Sequence, residues 1–222
     1  MNCFNKKILC IIPARSGGKS KVDKNIKLLN GKPLIYYTIN AAINCSLIDD
    51  VFVSSNSKKY LKIAENFKSK TILRPDEIAT DRSSTEEAVA HFLKIHQCDI
   101  TVLLQPTSPM VNSEILKSAL SEFIEKNMDS MTSVYKDHGF WWQNNEPMYD
   151  PSNRPMRQQQ SSLYKESGMF YIFKSQGFLK NNCRIFGKKG IHVTPKIRSF
   201  IEIDEMEDFK ITSELMKVIE DE

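Results

Sequence analysis

Four basic side chains and two adjacent glycines crowd into one short stretch, Ala14-Arg15-Ser16-Gly17-Gly18-Lys19-Ser20-Lys21-Val22-Asp23-Lys24-Asn25. Glycines let backbone amides turn inward around an anion, and Arg15, Lys19, Lys21 and Lys24 supply charge that neutralises phosphate. The stretch is neither a Walker A loop nor a dinucleotide fingerprint, because GxxxxGK[ST] and GxGxxG are both absent. On these residues alone two readings stay open: a phosphate-binding loop, or a solvated surface loop of the kind in which Gly-Lys-Ser mixtures are common. Near the other end of the chain, Glu202 and Asp204 stand at i and i+2, which places them on one face of an extended segment. Such a pair suits Mg²⁺, which takes one or two protein carboxylates and completes its shell with water and phosphate oxygens. The alternative is an acidic strand edge entering a helix N-cap. His91 and His96 lie five apart and share no helix face well, and His138 and His192 are isolated. No nucleophile has a base beside it, so covalent catalysis is not indicated.

The elements that must hold these groups alternate in type along the first 135 residues. Ile8 to Pro13 is short, continuous and rich in Ile, as a strand buried on both faces requires. A helix is predicted from Pro33 to Cys45, a strand over Val51 to Ser54, a helix from Ser57 to Phe67 and a short strand at Thr71 to Leu73. Ser84-Thr85-Glu86-Glu87 opens a further helix, to His96, with a capping box. Ile100 to Leu104 reads as strand, about Asn112 to Glu125 as helix and Ser130 to Val134 as strand. Strands alternating with helices imply a doubly wound, mainly parallel α/β sheet. Residues 138–163 break the pattern with three Pro and both Trp, which points to a functional loop or lobe. Tyr164 to Lys174 and Ile191 to Ile203 are strand-like, and Glu205 to Glu220 is a closing amphipathic helix with Asp204 as its N-cap. In open α/β sheets ligands bind beyond the carboxyl ends of the strands, so the basic stretch and Glu202/Asp204 both fall where a site belongs.

The 222 residues carry 31 Lys plus Arg against 27 Asp plus Glu, with 41% hydrophobic and 26% charged residues. That size fits one domain, here with a small lobe at about 136–165. The basic residues form no run of five or six, so nucleic acid is not an expected partner. No apolar run approaches 18 residues, which argues against a membrane span. Five scattered cysteines without zinc spacing fit reduced thiols and a cytoplasmic location.

The run IIPARSGGKSKVDKN at 11–25 resembles the opening motif of the acylneuraminate cytidylyltransferases, the CMP-sialic acid synthetases, usually I-I-P-A-R-x-G-S-K-G-x-x-x-K-N. The resemblance continues in order through NGKPL at 30–34, VSS at 53–55, RPDEIATD at 74–81 and LLQPTSP at 103–109. RQQ at 157–159, SGMFYI at 167–172 and IEIDEMED at 201–208 complete it. It implies a Rossmann-like nucleotidyltransferase fold with a dimerising lobe. It also implies that CTP binds with Mg²⁺, that the anomeric hydroxyl of a nine-carbon 2-keto sugar acid attacks the α-phosphate, and that pyrophosphate leaves. Arg15 and Lys19 are then expected to grip the triphosphate and stabilise developing charge, with Lys24 and Asn25 as further nucleotide contacts. Arg74, Ser84 and Thr85 match the cytidine-binding region, although Ser84 already reads as an N-cap. Gln105 and Arg157 resemble the residues that hold the sugar acid, Arg157 as a bidentate carboxylate clamp or else an exposed arginine. Tyr171 is a sugar or nucleotide contact or a core aromatic. Glu202 and Asp204 are the metal carboxylates, with Asp204 also counted as catalytic.

The chain departs from the family pattern at three places. Glu202 replaces the first Asp of Asp-Ile-Asp, Ser167-Gly168-Met169 replaces Asn-Gly-Ala, and the Gly-Lys-Ser order of the first loop is shifted. The last two changes, together with the short, Trp-rich segment at 138–163, are expected to touch sugar specificity, so a legionaminate-type acid competes with N-acetylneuraminate as substrate. Two other readings remain beside it: a 3-deoxy-manno-octulosonate type nucleotidyltransferase, and a catalytically silent nucleotide-binding protein.

Overall fold

A computed structural model of the chain describes residues 5–17, 23–154, 156 and 163–220. Lys19, Lys21 and Arg157 lie outside the described residues. In chain order the elements are β1 (Ile8–Pro13), β2 (Leu28–Leu29), β3 (Lys32–Pro33), α1 (Leu34–Ile43), β4 (Asp50–Ser55), α2 (Lys58–Glu65) and β5 (Lys70–Leu73). Then follow α3 (Thr85–Ile95), β6 (Ile100–Leu104), α4 (Ser113–Glu125), β7 (Ser130–Asp137), β8 (Trp142–Gln143), β9 (Glu146–Pro147), β10 (Leu163–Lys174), α5 (Ser175–Asn181), β11 (Lys189–Val193), α6 (Lys196–Ser199) and α7 (Met206–Glu220). Seven strands form one sheet in the order β11-β7-β10-β6-β1-β4-β5. Every neighbouring pair is parallel except the two made by β10, which runs against β6 and β7.

The sequence of β1 explains its central place. Ile8, Cys10 and Ile12 point to one face, where α1, α2 and α4 pack, and Leu9 and Ile11 point to the other, under α3 and α5. All five side chains are buried, as a strand covered on both faces demands. The capping box at Ser84 forms as expected, with Ser84 accepting from Glu87 N and the Glu87 carboxylate accepting from Ser84 N. A third, smaller cluster joins Leu29, Leu34 and Met110 to Ile203, Phe209 and Met216. It docks α7 beside the carboxyl ends of the strands.

Three expectations change. The strand read over Ile191 to Ile203 stops at Val193, because Pro195 has no amide to extend the pairing with β7 and instead starts α6. Residues 201–204 belong to no strand or helix. At the start of α7, the Asp208 carboxylate accepts from Asp204 N at 2.9 Å and also from Glu205 N. α5 was hidden by its internal Gly177, which is there because Phe186 packs where a Cβ would be. Residues 138–154 hold the β8–β9 hairpin, with Trp141 37% and Trp142 61% exposed. Arg154 stacks over Phe140 there, 3.9 Å from the ring centre.

Candidate functional site at the carboxyl ends of the strands

The chain leaves β1 for β4 and β5 on one side, then returns to β6 on the other. The crevice where such a sheet binds its ligand therefore lies beyond β1 and β6. Arg15 stands two residues past β1 and Gln105 immediately past β6. Ala14 N donates to Ser54 O at 2.9 Å and Arg74 N to Ser55 O at 2.8 Å, so the backbone ladder carries both arginines to the same rim.

Arg15 donates to Thr80 O and lies 3.2 Å from the Asp81 carboxylate. Asn25 donates to Arg15 O at 3.2 Å, which returns the far end of the basic stretch to its start. That return is fixed by Asp23, in the left-handed region at φ 63°, a conformation that Asp tolerates better than most residues. Its carboxylate accepts from Lys59 at 2.7 Å and from the Tyr60 hydroxyl at 3.1 Å. The Lys59 bond holds the Asp23 carboxyl below the usual range. Lys24 donates to Ile203 O at 2.9 Å and to Asp204 at 3.3 Å. The first loop and the Glu202/Asp204 segment, some 180 residues apart, thus meet directly.

Arg74 is the least ordinary group in the site. Its side chain is 4% exposed, Nε donates to Ser54 Oγ at 3.1 Å and Nη2 to Ser54 O at 2.7 Å. Among the described residues it pairs with no carboxylate. Burial first, and Arg15 second, lower its pKa to about 10, so it is still a cation at neutral pH. A buried charge with spare donors and no counter-ion is costly to fold around, which suits a group kept for a ligand. His91 is half-buried, and among the described residues its buried Nδ1 has no hydrogen-bond partner. Burial, then Arg74, lowers its pKa and favours the neutral ring.

Ile203 is fully buried in the α7 cluster, which leaves its neighbours Glu202 and Asp204 exposed on the site side. Thr107 donates to Glu202 at 2.9 Å, and Ile203 N donates to Thr107 O at 2.8 Å. Those bonds tie Glu202 to the loop that carries Gln105. Behind Glu202 is Gly168 at φ +67°, where a Cβ would come within 2.9 Å of the carboxylate. Glycine meets both demands. The flanking departures from the family pattern face inward: Met169 is fully buried in the core, and Ser167 donates to Ser133 at 2.7 Å. They repack the irregularity between β7 and β10 and do not line open space.

Two further residues of the expected set are placed as structural groups. Tyr171 is 7% exposed, its hydroxyl donates to Glu166 at 3.0 Å and Arg184 covers its ring at 4.7 Å. Burial and Glu166 push its pKa up to about 12. The core-aromatic alternative describes it. The Ser84 hydroxyl is engaged in the capping box, with Thr85 half-buried at the first position of α3. Ser84→Ala is expected to cost about 1 kcal/mol, lowering Tm by about 2–4 °C in a chain of this size. Ser84→Asp, which keeps a cap acceptor, is expected to hold Tm. Thermal melts check this, and equal Tm for wild type and the Ala variant would remove the cap from the account. Asn56 and Asp23 were missed in the sequence, where each sits among other polar residues of a loop. Their signal was an Asn or Asp at a turn between a strand and a helix.

A family profile described as Cytidylyltransferase matches residues 9–219. The chain is 33% identical to an N-acylneuraminate cytidylyltransferase of Escherichia coli over 92% of its length, but that match takes in 51% of the relative. The chain spans about half the length of the first curated relatives it matches. It is 29% identical to a pseudaminic acid cytidylyltransferase of Campylobacter jejuni, over 96% of this chain and 97% of that one. Among solved structures, a CMP:2-keto-3-deoxy-manno-octonic acid synthetase complexed with CTP superposes with TM-score 0.73 at 15% identity, over 95% of this chain and 98% of that one. A 4-diphosphocytidyl-2C-methyl-D-erythritol synthase from Anaerococcus prevotii gives 0.67 at 12%, over 96% and 99%. These two likenesses show the fold.

Proposed function

Because the chain belongs to the cytidylyltransferase family, we propose that it transfers CMP from CTP to a sialic-acid-like nonulosonate, of the N-acetylneuraminate or legionaminate type. In that reaction the anomeric oxygen of the sugar acid bonds to the α-phosphorus, the bond to the bridging oxygen breaks, and pyrophosphate and the hydroxyl proton leave. The observation that carries the reading is the placement at one end of the sheet of Arg15, of the buried Arg74, which pairs with no carboxylate among the described residues, and of the Lys24–Asp204 ion pair with Glu202 nearby. Phosphoryl transfer needs positioning and charge stabilisation more than covalent chemistry, and this set supplies both.

In this reading Arg15, Lys24 and Lys19 bind the triphosphate, while Arg74, Asn25 and Thr85 hold the cytidine. Gln105 and Arg157 orient the sugar acid. Glu202 and Asp204 would hold Mg²⁺, and both are exposed. Two accessible carboxylates beside a phosphate site fit a cation that keeps most of its shell for water and phosphate. Bound there, the ion would draw charge from the phosphate oxygens. We further propose a homodimer formed through the lobe at 136–165, where Trp141 and Trp142 offer aromatic surface suited to an interface. Among the described residues no helix is long and apolar enough to cross a membrane, and the scattered cysteines fit the cytoplasm.

Pyrophosphate release with CTP and Mg²⁺ tests the reading across N-acetylneuraminate, its deaminated analogue, legionaminate, pseudaminate and the octulosonate. Selective turnover of one nonulosonate is expected. Turnover with the octulosonate alone would move the chain to that branch, and silence across the panel with CTP still bound would leave a nucleotide-binding protein.

A further inference from the structure

Asn56 occupies the turn between β4 and α2, on the site rim. Its Oδ1 accepts from both Ser16 N at 3.0 Å and Ser16 Oγ at 3.1 Å, and its Nδ2 donates to Asp76 at 3.0 Å. Ser16 follows Arg15 in the first loop. Asp76 lies two residues beyond Arg74, in the short turn Asp76–Ile78. One side chain therefore ties together the two loops that carry the site's arginines, just beyond the last backbone bonds at Ala14 and Arg74 and beside the contacts of Arg15 with Thr80 and Asp81.

We infer that Asn56 is a positioning residue for nucleotide binding, setting the separation of Arg15 and Arg74; this rests on the reading of the site given above. The chemistry asks for an amide in particular. Of side chains this short, only Asn offers an acceptor to Ser16 and a donor to Asp76 from one planar group at neutral pH. A carboxylate of the same size keeps the Ser16 bonds and meets Asp76 as a like charge. Asn56 is half-buried and Asp76 exposed, so water can satisfy the separated groups and the fold itself depends little on the contact.

The experiment is calorimetric titration of CTP into four proteins: wild type, Asn56→Asp, Asp76→Asn and the double variant. Asn56→Asp is expected to raise Kd for CTP about tenfold, a loss of about 1.4 kcal/mol, with Tm within about 2 °C of wild type. Asp76→Asn still accepts from Asn56 and is expected to bind as wild type does. The double variant restores one donor facing one acceptor with the roles exchanged, and is expected to return Kd to within about threefold of wild type. A merely structural role would move Tm and show no such rescue. Unchanged CTP affinity in Asn56→Asp, or no rescue in the double variant, overturns the inference while leaving the nucleotide site intact. Wild-type protein that binds no CTP overturns the site reading, and the role of Asn56 with it.

Discussion

Asp204→Asn is expected to lower pyrophosphate release from CTP by about a hundredfold or more, the scale lost when one preorganised electrostatic contact is removed from a charge-developing site. The carboxylate stands 3.3 Å from Lys24 Nζ, with its side chain 70% exposed. An ion pair so accessible contributes at most about 1 kcal/mol to folding. The neighbour that anchors this segment is Ile203, and its burial does not depend on the tip of Asp204. Tm is therefore expected to stay within a few degrees of wild type while turnover collapses. Raising Mg²⁺ should recover part of the lost rate if the carboxylate acts through the ion. Turnover within about threefold of wild type at the same Mg²⁺ would remove Asp204 from the reaction.

Arg74→Met is expected to weaken CTP binding by about thirty- to a hundredfold, as befits a charged donor whose hydrogen bond is lost, without lowering Tm. The two halves of that prediction have one cause. The guanidinium is buried, bonded only to Ser54 among the described residues, and its pKa falls from the usual guanidinium range to about 10. A cation whose folded pKa is depressed disfavours the fold wherever it is charged. The penalty is present at every pH below about 10 and fades as pH rises above that value. Methionine fills similar space without that charge, offsetting the two lost bonds to Ser54. A clear fall in Tm with CTP affinity unchanged would make Arg74 a structural residue after all.

Much of the scaffold was legible because its signals are local. The Ile-rich run of β1 and the capping box at Ser84 each depend on residues within a turn or two. Motif order also placed Arg15, Arg74 and Gln105 after strands, and in a parallel sheet that alone sends them to one end. What stayed hidden depends on neighbours distant in sequence. α5 was lost because Gly177 reads as a loop residue until Phe186 is seen against it. Ser167 and Met169 looked like changes in sugar specificity, yet their side chains turn into the packing between β7 and β10. Tyr171 could have faced either way, since strand alternation is ambiguous beside an irregular pairing.

The amino-acid sequence by itself determined the alternation of strands and helices, the end of the sheet that carries the chemistry and the kinds of charge gathered there. Periodicity, caps and residue types are properties of short segments, so these were complete before the chain folded. Tertiary structure alone decided which charges meet. It brought Lys24 against Asp204, left Arg74 buried without a carboxylate among the described residues, and set Asn56 between Ser16 and Asp76. Those relations are set by packing of the sheet and by the docking of α7 through Ile203. Both join segments far apart along the chain.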